Sequence, residues 1–490
     1  MATRFSIFTI GFMLALAGAA LVMFDPYLTA NFAPVSRIGP VTWPYKSVLL
    51  VLGLSAMVLA AFYLLQKTRD FTTLFLVLIF TSSQLNGIGF GPLDIFDISL
   101  LGLFMIWAAR IAPNDTRVLI LSPLFFAASA LVIMTIAHLP VMSPVPWFIG
   151  LFGIVRVALI ALLFVDLCRD PKALRLVVRV FVVIATISAL IGITQFLLAY
   201  FNIFVFSYIE PLLSAYKPTP LGFVMRASAF CSTAQHYSSF MVYALPFALL
   251  RASNTRRVRD VLAVFIILVG LFVSLNFGGV FAGALVVLLF PFARWPQLSI
   301  HLVLAGLAVL AISYFSGLLD LVYDLTLGDS GLAKGIDQRK TLFKLGLAQI
   351  EHSPIIGTGV RGFSDVDGNF WGRPVHNLFG QAATELGVFG ALLFIGIFLV
   401  LAFELIRVVK TTSHETLFPQ MMLIVLASAM LLGMTEPNLE QSNLWLMLAL
   451  SQAVILTYRK TSNLPLLLLN NQVDQGKKTD TGQSYSYNHN

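Results

Sequence analysis

Predominantly apolar runs recur along the whole chain, at about 5–24, 46–66, 72–88, 95–110, 118–139, 147–167, 176–201, 236–250, 260–276, 278–293, 298–319, 386–406, 418–435 and 442–458. Charged residues collect mainly between them. A helix needs roughly 20 apolar residues to cross a bilayer core, so the pattern predicts an all-α polytopic membrane protein with about 12–14 transmembrane helices. The lower figure drops an adjacent pair that includes one of the short runs at 72, 236 or 278, which leaves the sidedness unchanged. The first run follows Arg4 but is too long for a typical signal-peptide core and lacks a clear small-residue cleavage site, so it reads as a retained span.

Composition excludes the soluble alternative: 58% of the 490 residues are hydrophobic and only 11% charged, whereas soluble domains carry about 25% charged residues. The net charge of +8 raises the question of nucleic acid in a soluble protein, but here it follows topology. With both termini cytoplasmic, 20 basic residues fall on inner connections and 10 on outer ones, as the positive-inside rule expects. No nucleic-acid partner is implied. Cys168 and Cys231 fall on opposite sides, so no disulfide is expected. The polar tail 461–490 reads as a disordered cytoplasmic extension. The remainder divides into an N-terminal transmembrane bundle, 1–201, and a membrane region, 202–460, which carries the two long outer connections 202–235 and 320–375. Long loops in compact proteins tend to carry function.

The candidate chemistry lies at those loops. The segment P-V-H-N-L-F-G-Q-A-A-T-E-L-G-V-F-G, Pro374 to Gly390, places Asn377, Gln381 and Glu385 at i, i+4 and i+8, one polar stripe on a helix with His376 beside its start. Interhelical hydrogen bonding and capping would suit these residues, but their convergence where a loop enters the membrane favours function. Upstream, Asp337 to Pro354 reads as a short helix with Asp337 as N-cap and Pro354 as stop. Arg339 shares its apolar face with Phe343, Gly346 and Ile350, and is expected to face protein or bilayer and to bind an anion. Lys340 and Lys344 read as a solvated face. Arg226 precedes the span that contains His236; snorkelling to the interface competes with anion binding there, and His236 reads as structural. Arg156, inside the sixth run, is a functional candidate by its cost, with no partner visible in sequence. His138, His301 and His352 read as interfacial or packing residues. No metal-site or nucleotide-binding pattern stands in a supporting context.

These residues resemble the O-antigen ligase and polysaccharide polymerase superfamily of bacterial envelopes. The resemblance rests on His376 and Asn377 followed by Glu385, Gly387 and Gly390, on Arg339 followed by S-P-I-I-G-T-G-V-R-G-F (Ser353 to Phe363), and on Arg226 with A-S-A-F. It covers about residues 220–440. Where many members carry a Ser-Arg pair, this chain has S-L-N-F-G-G, Ser274 to Gly279, so a third family arginine is in doubt. The resemblance implies a GT-C-like glycosyltransferase of the bacterial inner membrane, acting on the periplasmic side beside a large periplasmic loop. It implies an undecaprenyl pyrophosphate-linked oligosaccharide as donor and no metal or cofactor. Arg226 and Arg339 would hold the pyrophosphate, with Asn377 and Gln381 at the substrate; His376 would act as general base, supported by Glu385. The acceptor separates a polymerase, which uses a lipid-linked glycan, from a ligase to lipid A-core and from a protein oligosaccharyltransferase. The additional spans and the extended tail favour the polymerase. A glycan or lipid transporter is the reading from a different class, with membrane lipids as its surroundings in either case.

Overall fold

The computed structural model describes residues 71–84, 89–90, 93–108, 122–138, 144–168, 171–201, 216–219, 222–231, 233–295, 297, 332–370, 372–411, 417–437 and 439–462. The expected spans at 5–24, 46–66 and 298–319 and almost all of the tail 461–490 lie outside these. The chain falls into two compact units, 1–78 and 79–490, and the second holds the features that follow.

The described residues form α1 (Phe71–Gln84), α2 (Ile95–Ala108), α3 (Pro123–Ala137), α4 (Pro144–Cys168), α5 (Pro171–Tyr200), α6 (Ala234–Thr255), α7 (Val258–Val273), α8 (Phe277–Arg294), α9 (Leu332–His352), α10 (Leu378–Thr411), α11 (Leu417–Thr435) and α12 (Ser442–Ser462). Two antiparallel hairpins interrupt them: β1 (Gly89–Phe90) with β2 (Leu93–Asp94), and β3 (Tyr216–Thr219) with β4 (Gly222–Met225). Among the described residues five helices, in α4, α5, α8, α10 and α11, are long and apolar enough to cross a membrane. Val183, Ile187, Leu190 and Leu197 of α5 stand outward and exposed, a continuous apolar surface that suits lipid contact. This is a membrane-embedded helical bundle.

Local chemistry accounts for several boundaries. Ser122 caps α3 by accepting the Phe125 N–H, with Pro123 in the first turn. Thr233 caps α6 by accepting from the His236 N–H, and Arg256 ends that helix in the left-handed region. In lipid, helices gain little hydrophobic energy by associating, so close approach over small residues matters more. Gly192 of α5 and Gly270 of α7 both abut the ring end of Tyr237 on α6, where added side chains would collide. Phe80, Phe164, Phe181 and Phe240 interlock nearby, with Phe80 stacked on Phe181 at 4.6 Å and Phe240 edge-on to Phe181 at 4.8 Å.

The expected helix at Asp337 begins instead at Leu332 and ends at His352, just before Pro354. Asp337 is therefore interior, and its carbonyl accepts the Thr341 hydroxyl, because the preceding Leu332–Ile336 segment continues the helix. The connections expected on one side of the membrane do gather at one end of the bundle. Ala227 N–H donates to Val273 O, Asn276 reaches Glu436, Leu439 N–H reaches Gln381 and Arg361 reaches Glu440. The opposite end carries Arg251 with Asp260, and Arg459 with Glu404.

Candidate functional site

The entry to α10 builds the site. Asn377 Oδ1 accepts from the N–H groups of Phe379 and Gly380, each at 2.9 Å, and so caps donors that have no partner in the first turn. Its amide Nδ2 donates to Met434 O at 3.4 Å. The preceding Val375 is buried with Leu342 of α9 and Phe363, which pins α9 across the start of α10. Between them lies a cleft of about 280 Å³ lined by Arg339, Lys340, Phe343, Val375, His376, Asn377 and Met434.

One expectation about α9 changes here. Arg339 is exposed rather than turned into protein or bilayer, while Lys340 and Lys344 are exposed as expected, with Lys340 also at the edge of the cleft. The physical reason is that α9 lies over the loop that opens α10, so its outer residues border a cleft that a single-helix projection does not contain. His376 is neutral at ordinary pH: burial, then the charges of Arg339 and Arg373, lower its pKa to about 4. Its Nδ1 is buried and has no hydrogen-bond partner among the described residues.

Asn377, Gln381 and Glu385 do lie along one face, but they divide in role. Gln381 and Glu385 are buried and line the bundle, not the cleft. Gln381 Nε2 donates to Glu385 Oε1 at 3.2 Å, and its Oε1 accepts the Leu439 N–H at 3.3 Å. Below Glu385 the helix breaks at Gly387, whose φ is 71° and ψ −174°. The loop after α9 fills the break: Thr358 N–H donates to Thr384 O at 2.9 Å, Gly359 N–H to Glu385 O at 2.7 Å, and Val388 N–H to Pro354 O at 2.8 Å. A side chain on Gly357 would stand 2.6 Å from the Glu385 carbonyl carbon. The two glycine-bearing motifs are thus the two halves of one backbone contact. His138, expected at an interface or in packing, is buried and holds this loop, with Nε2 2.6 Å from Ile356 O and Nδ1 2.6 Å from Met134 O.

Arg226 leaves β4 and its Nε donates to Ser274 O at 3.4 Å. Asn276, in the segment where a family arginine was in doubt, donates from Nδ2 to Glu436 Oε1 at 2.6 Å. Ser239 Oγ donates to the other carboxylate oxygen at 3.3 Å. Glu436 is 2% exposed. Burial raises its pKa to about 7, opposed by those two hydrogen bonds and by the charges of Arg339 and Arg226. One buried carboxylate therefore senses both arginines, which come from segments far apart in the chain.

A second charged layer supports this one. Arg156 pairs with Asp97 at 3.3 Å and donates to Glu440 O at 3.1 Å. The Glu440 carboxylate takes a forked pair from Arg361, 3.0 Å from Nε and 2.6 Å from Nη2. Burial works against the Arg361 charge, but Glu440, ahead of Glu385 and Asp97, more than offsets it and holds the guanidinium above its ordinary value. Asp97, Asn276, Arg361, Glu436 and Glu440 are absent from the sequence-derived candidates. The short connection T-E-P-N-L-E, Thr435 to Glu440, carried a signal: two carboxylates between two apolar runs.

Among the described residues no three His, Cys, Asp or Glu side chains come together as a metal site. The fold and site define a polytopic helical membrane protein with a cationic cleft and a neutral imidazole at one end of its bundle. No family model matches the chain, and no curated protein matches its sequence.

Proposed function

We propose that this protein is a membrane glycosyltransferase of the GT-C type that uses an undecaprenyl pyrophosphate-linked glycan as donor. The observation that carries the reading is the pairing of His376 with the cations Arg339 and Lys340 in one cleft. A glycosyl pyrophosphate already has a good leaving group, so the protein must hold the anion and take a proton. The acceptor hydroxyl oxygen attacks the anomeric carbon while His376 receives its proton. The bond from that carbon to the pyrophosphate oxygen breaks, and its electron pair leaves on an anion stabilised by Arg226 and Arg339. Direct displacement inverts the anomeric configuration. Asn377 orients the His376 turn, while Gln381 and Glu385 brace the helix behind it.

The acceptor is a second lipid-linked glycan, which makes the protein a polysaccharide polymerase, in the bacterial inner membrane with the cleft on the periplasmic side. Transfer to lipid A-core or to a protein hydroxyl uses the same cleft with another acceptor. Incubating the purified protein with a defined lipid-linked repeat unit tests this: longer polyprenyl-linked chains are expected. Glycan delivered only to added lipid A-core would replace the polymerase by a ligase, and no transfer to any acceptor would sink the enzyme reading.

The break at Gly387 favours a second reading, because transporters use discontinuous helices to bind ions at freed backbone groups. Here the carbonyls of Thr384 and Glu385 and the N–H of Val388 are taken by the loop 354–359. The break is closed, which supports the enzyme over the transporter.

A further inference from the structure

At the end of the bundle opposite the cleft, exposed positive charge gathers where α5 and α7 begin. These two helices run parallel and in contact. Their C-terminal ends meet one backbone segment: Gln195 Oε1 of α5 accepts the N–H groups of Ser228 and Ala229 at 3.0 and 2.9 Å, and Val273 O of α7 accepts the Ala227 N–H at 3.0 Å. Further along, Ala189 of α5 lies against Gly270 of α7. Both helices rise about 1.5 Å per residue, so eleven residues back from that contact Arg259 stands level with Val178, beside Arg179. Arg256 and Arg257 form the turn just before α7, and Arg175 lies one turn before Arg179. All five arginines are exposed, and among the described residues none makes an ion pair. Asp260, the carboxylate of that turn, is buried, with its oxygens taken by Arg251 at 2.7 Å and the Thr255 hydroxyl at 2.6 Å. Each helix then turns apolar on its outward face. Arg175 and Arg179 are followed at helical spacing by Val183 and Ile187, both about half exposed, and the arginine turn by Val261 and Phe265, 53% and 63% exposed. The far end of the α5 stripe carries Tyr200 and Phe201, without charge.

We infer that the start of the α5–α7 pair is a binding site for an anionic phospholipid, its phosphate among the five guanidiniums and its acyl chains along the two apolar stripes. Charge selects the occupant. The stripes accept any acyl chain, but an arginine at the end of a lipid-facing stripe sits at headgroup level, where a guanidinium grips phosphate oxygens in a bidentate way. A zwitterionic headgroup would bring its own ammonium into a cluster of five cations and is disfavoured there. An anionic headgroup meets no such repulsion, and basic clusters at the membrane surface recognise lipids of that charge. The inference does not depend on the reaction proposed for the cleft, which lies at the other end of the molecule.

The test offers the full chain in detergent an equal mixture of phosphatidylglycerol and phosphatidylcholine with the same acyl chains, and counts the retained lipids by native mass spectrometry. Phosphatidylglycerol is expected to be retained in preference. The double variants Arg175→Gln/Arg179→Gln and Arg256→Gln/Arg257→Gln should each lower that preference, by about fivefold for each arginine removed. Arg175→Lys/Arg179→Lys keeps the charge and should keep most of the preference. Lys410→Gln, at the same end of the bundle but at the close of α10, should leave it unchanged. Equal retention of the two lipids, or a preference that survives both double Gln variants, would overturn the inference. An equal fall in Lys410→Gln would replace the site by the general charge of that end, and displacement of the lipid by excess glycerol phosphate would replace it by a site for soluble anions.

Discussion

His376 is placed by an asparagine cap and tuned by cations rather than by a carboxylate partner. Burial and the charges of Arg339 and Arg373 hold it neutral down to about pH 4, the form that accepts a proton. Because the neutral imidazole is the active form, kcat/KM should fall as pH drops through about 4 and stay level above it. A bound pyrophosphate neutralises the same cations, so the inflection in kcat should lie at higher pH, where a base of matched strength works best. Arg373→Ala removes one cation and should move the kcat/KM inflection upward in a pH–rate profile. His376→Ala should reduce transfer by about 10²- to 10⁴-fold, the usual worth of a general base, with donor binding retained. The imidazole was legible in sequence as a histidine where a loop enters the membrane. Its neutrality was not, because the burial that chiefly sets it, and the charge of Arg339 from 37 residues upstream, arise only when α9 packs over the start of α10.

At the scale of elements, the decisive feature is the broken α10. The Glu-x-Gly-x-x-Gly spacing suggested a site, and the structure gives its glycines a mechanical role. Gly387 carries a φ of 71°, and a side chain there would run into the Ile355 carbonyl oxygen. Gly387→Ala should therefore destabilise the protein by about 3 kcal/mol or more, in the range of the larger single-site effects, seen as a lowered unfolding temperature in detergent. Gly396, on the same helix, has open space about it, and Gly396→Ala should stabilise by about 0.5–1 kcal/mol through helix propensity. Equal effects at the two positions would show that the loop does not clamp the break. Helix boundaries were legible where the apolar period or a capping residue marked them. The start of α9 was missed because Asp337 is an N-cap by type but is overridden by a helical segment before it.

Across the whole molecule, Arg156 shows how remote segments hold the site's base. It lies within α4, pairs with Asp97 at the start of α2, and donates to the backbone of the α11–α12 connection beside Glu440. Removing one partner of a buried ion pair leaves the other charge uncompensated, so Arg156→Met should cost about 3–5 kcal/mol. Adding Asp97→Asn in that background should recover part of the loss, measured by thermal unfolding of the single and double variants. No recovery would mean that the contact to the Glu440 carbonyl, rather than the ion pair, carries the effect.

The sequence by itself determined a polytopic helical membrane protein and the positions of most of the described helices. Those properties are local: twenty apolar residues make a span and a capping side chain starts a helix, whatever the rest of the chain does. Only the tertiary structure decided that Arg156 has Asp97 as its partner, that Glu436 sits between the fields of Arg226 and Arg339, and that Lys340 borders the cleft. These relations join segments up to 210 residues apart. Hydropathy carries no information about which polar side chains will meet, because in an apolar medium the bundle is arranged by close packing and by the need to pair each buried charge.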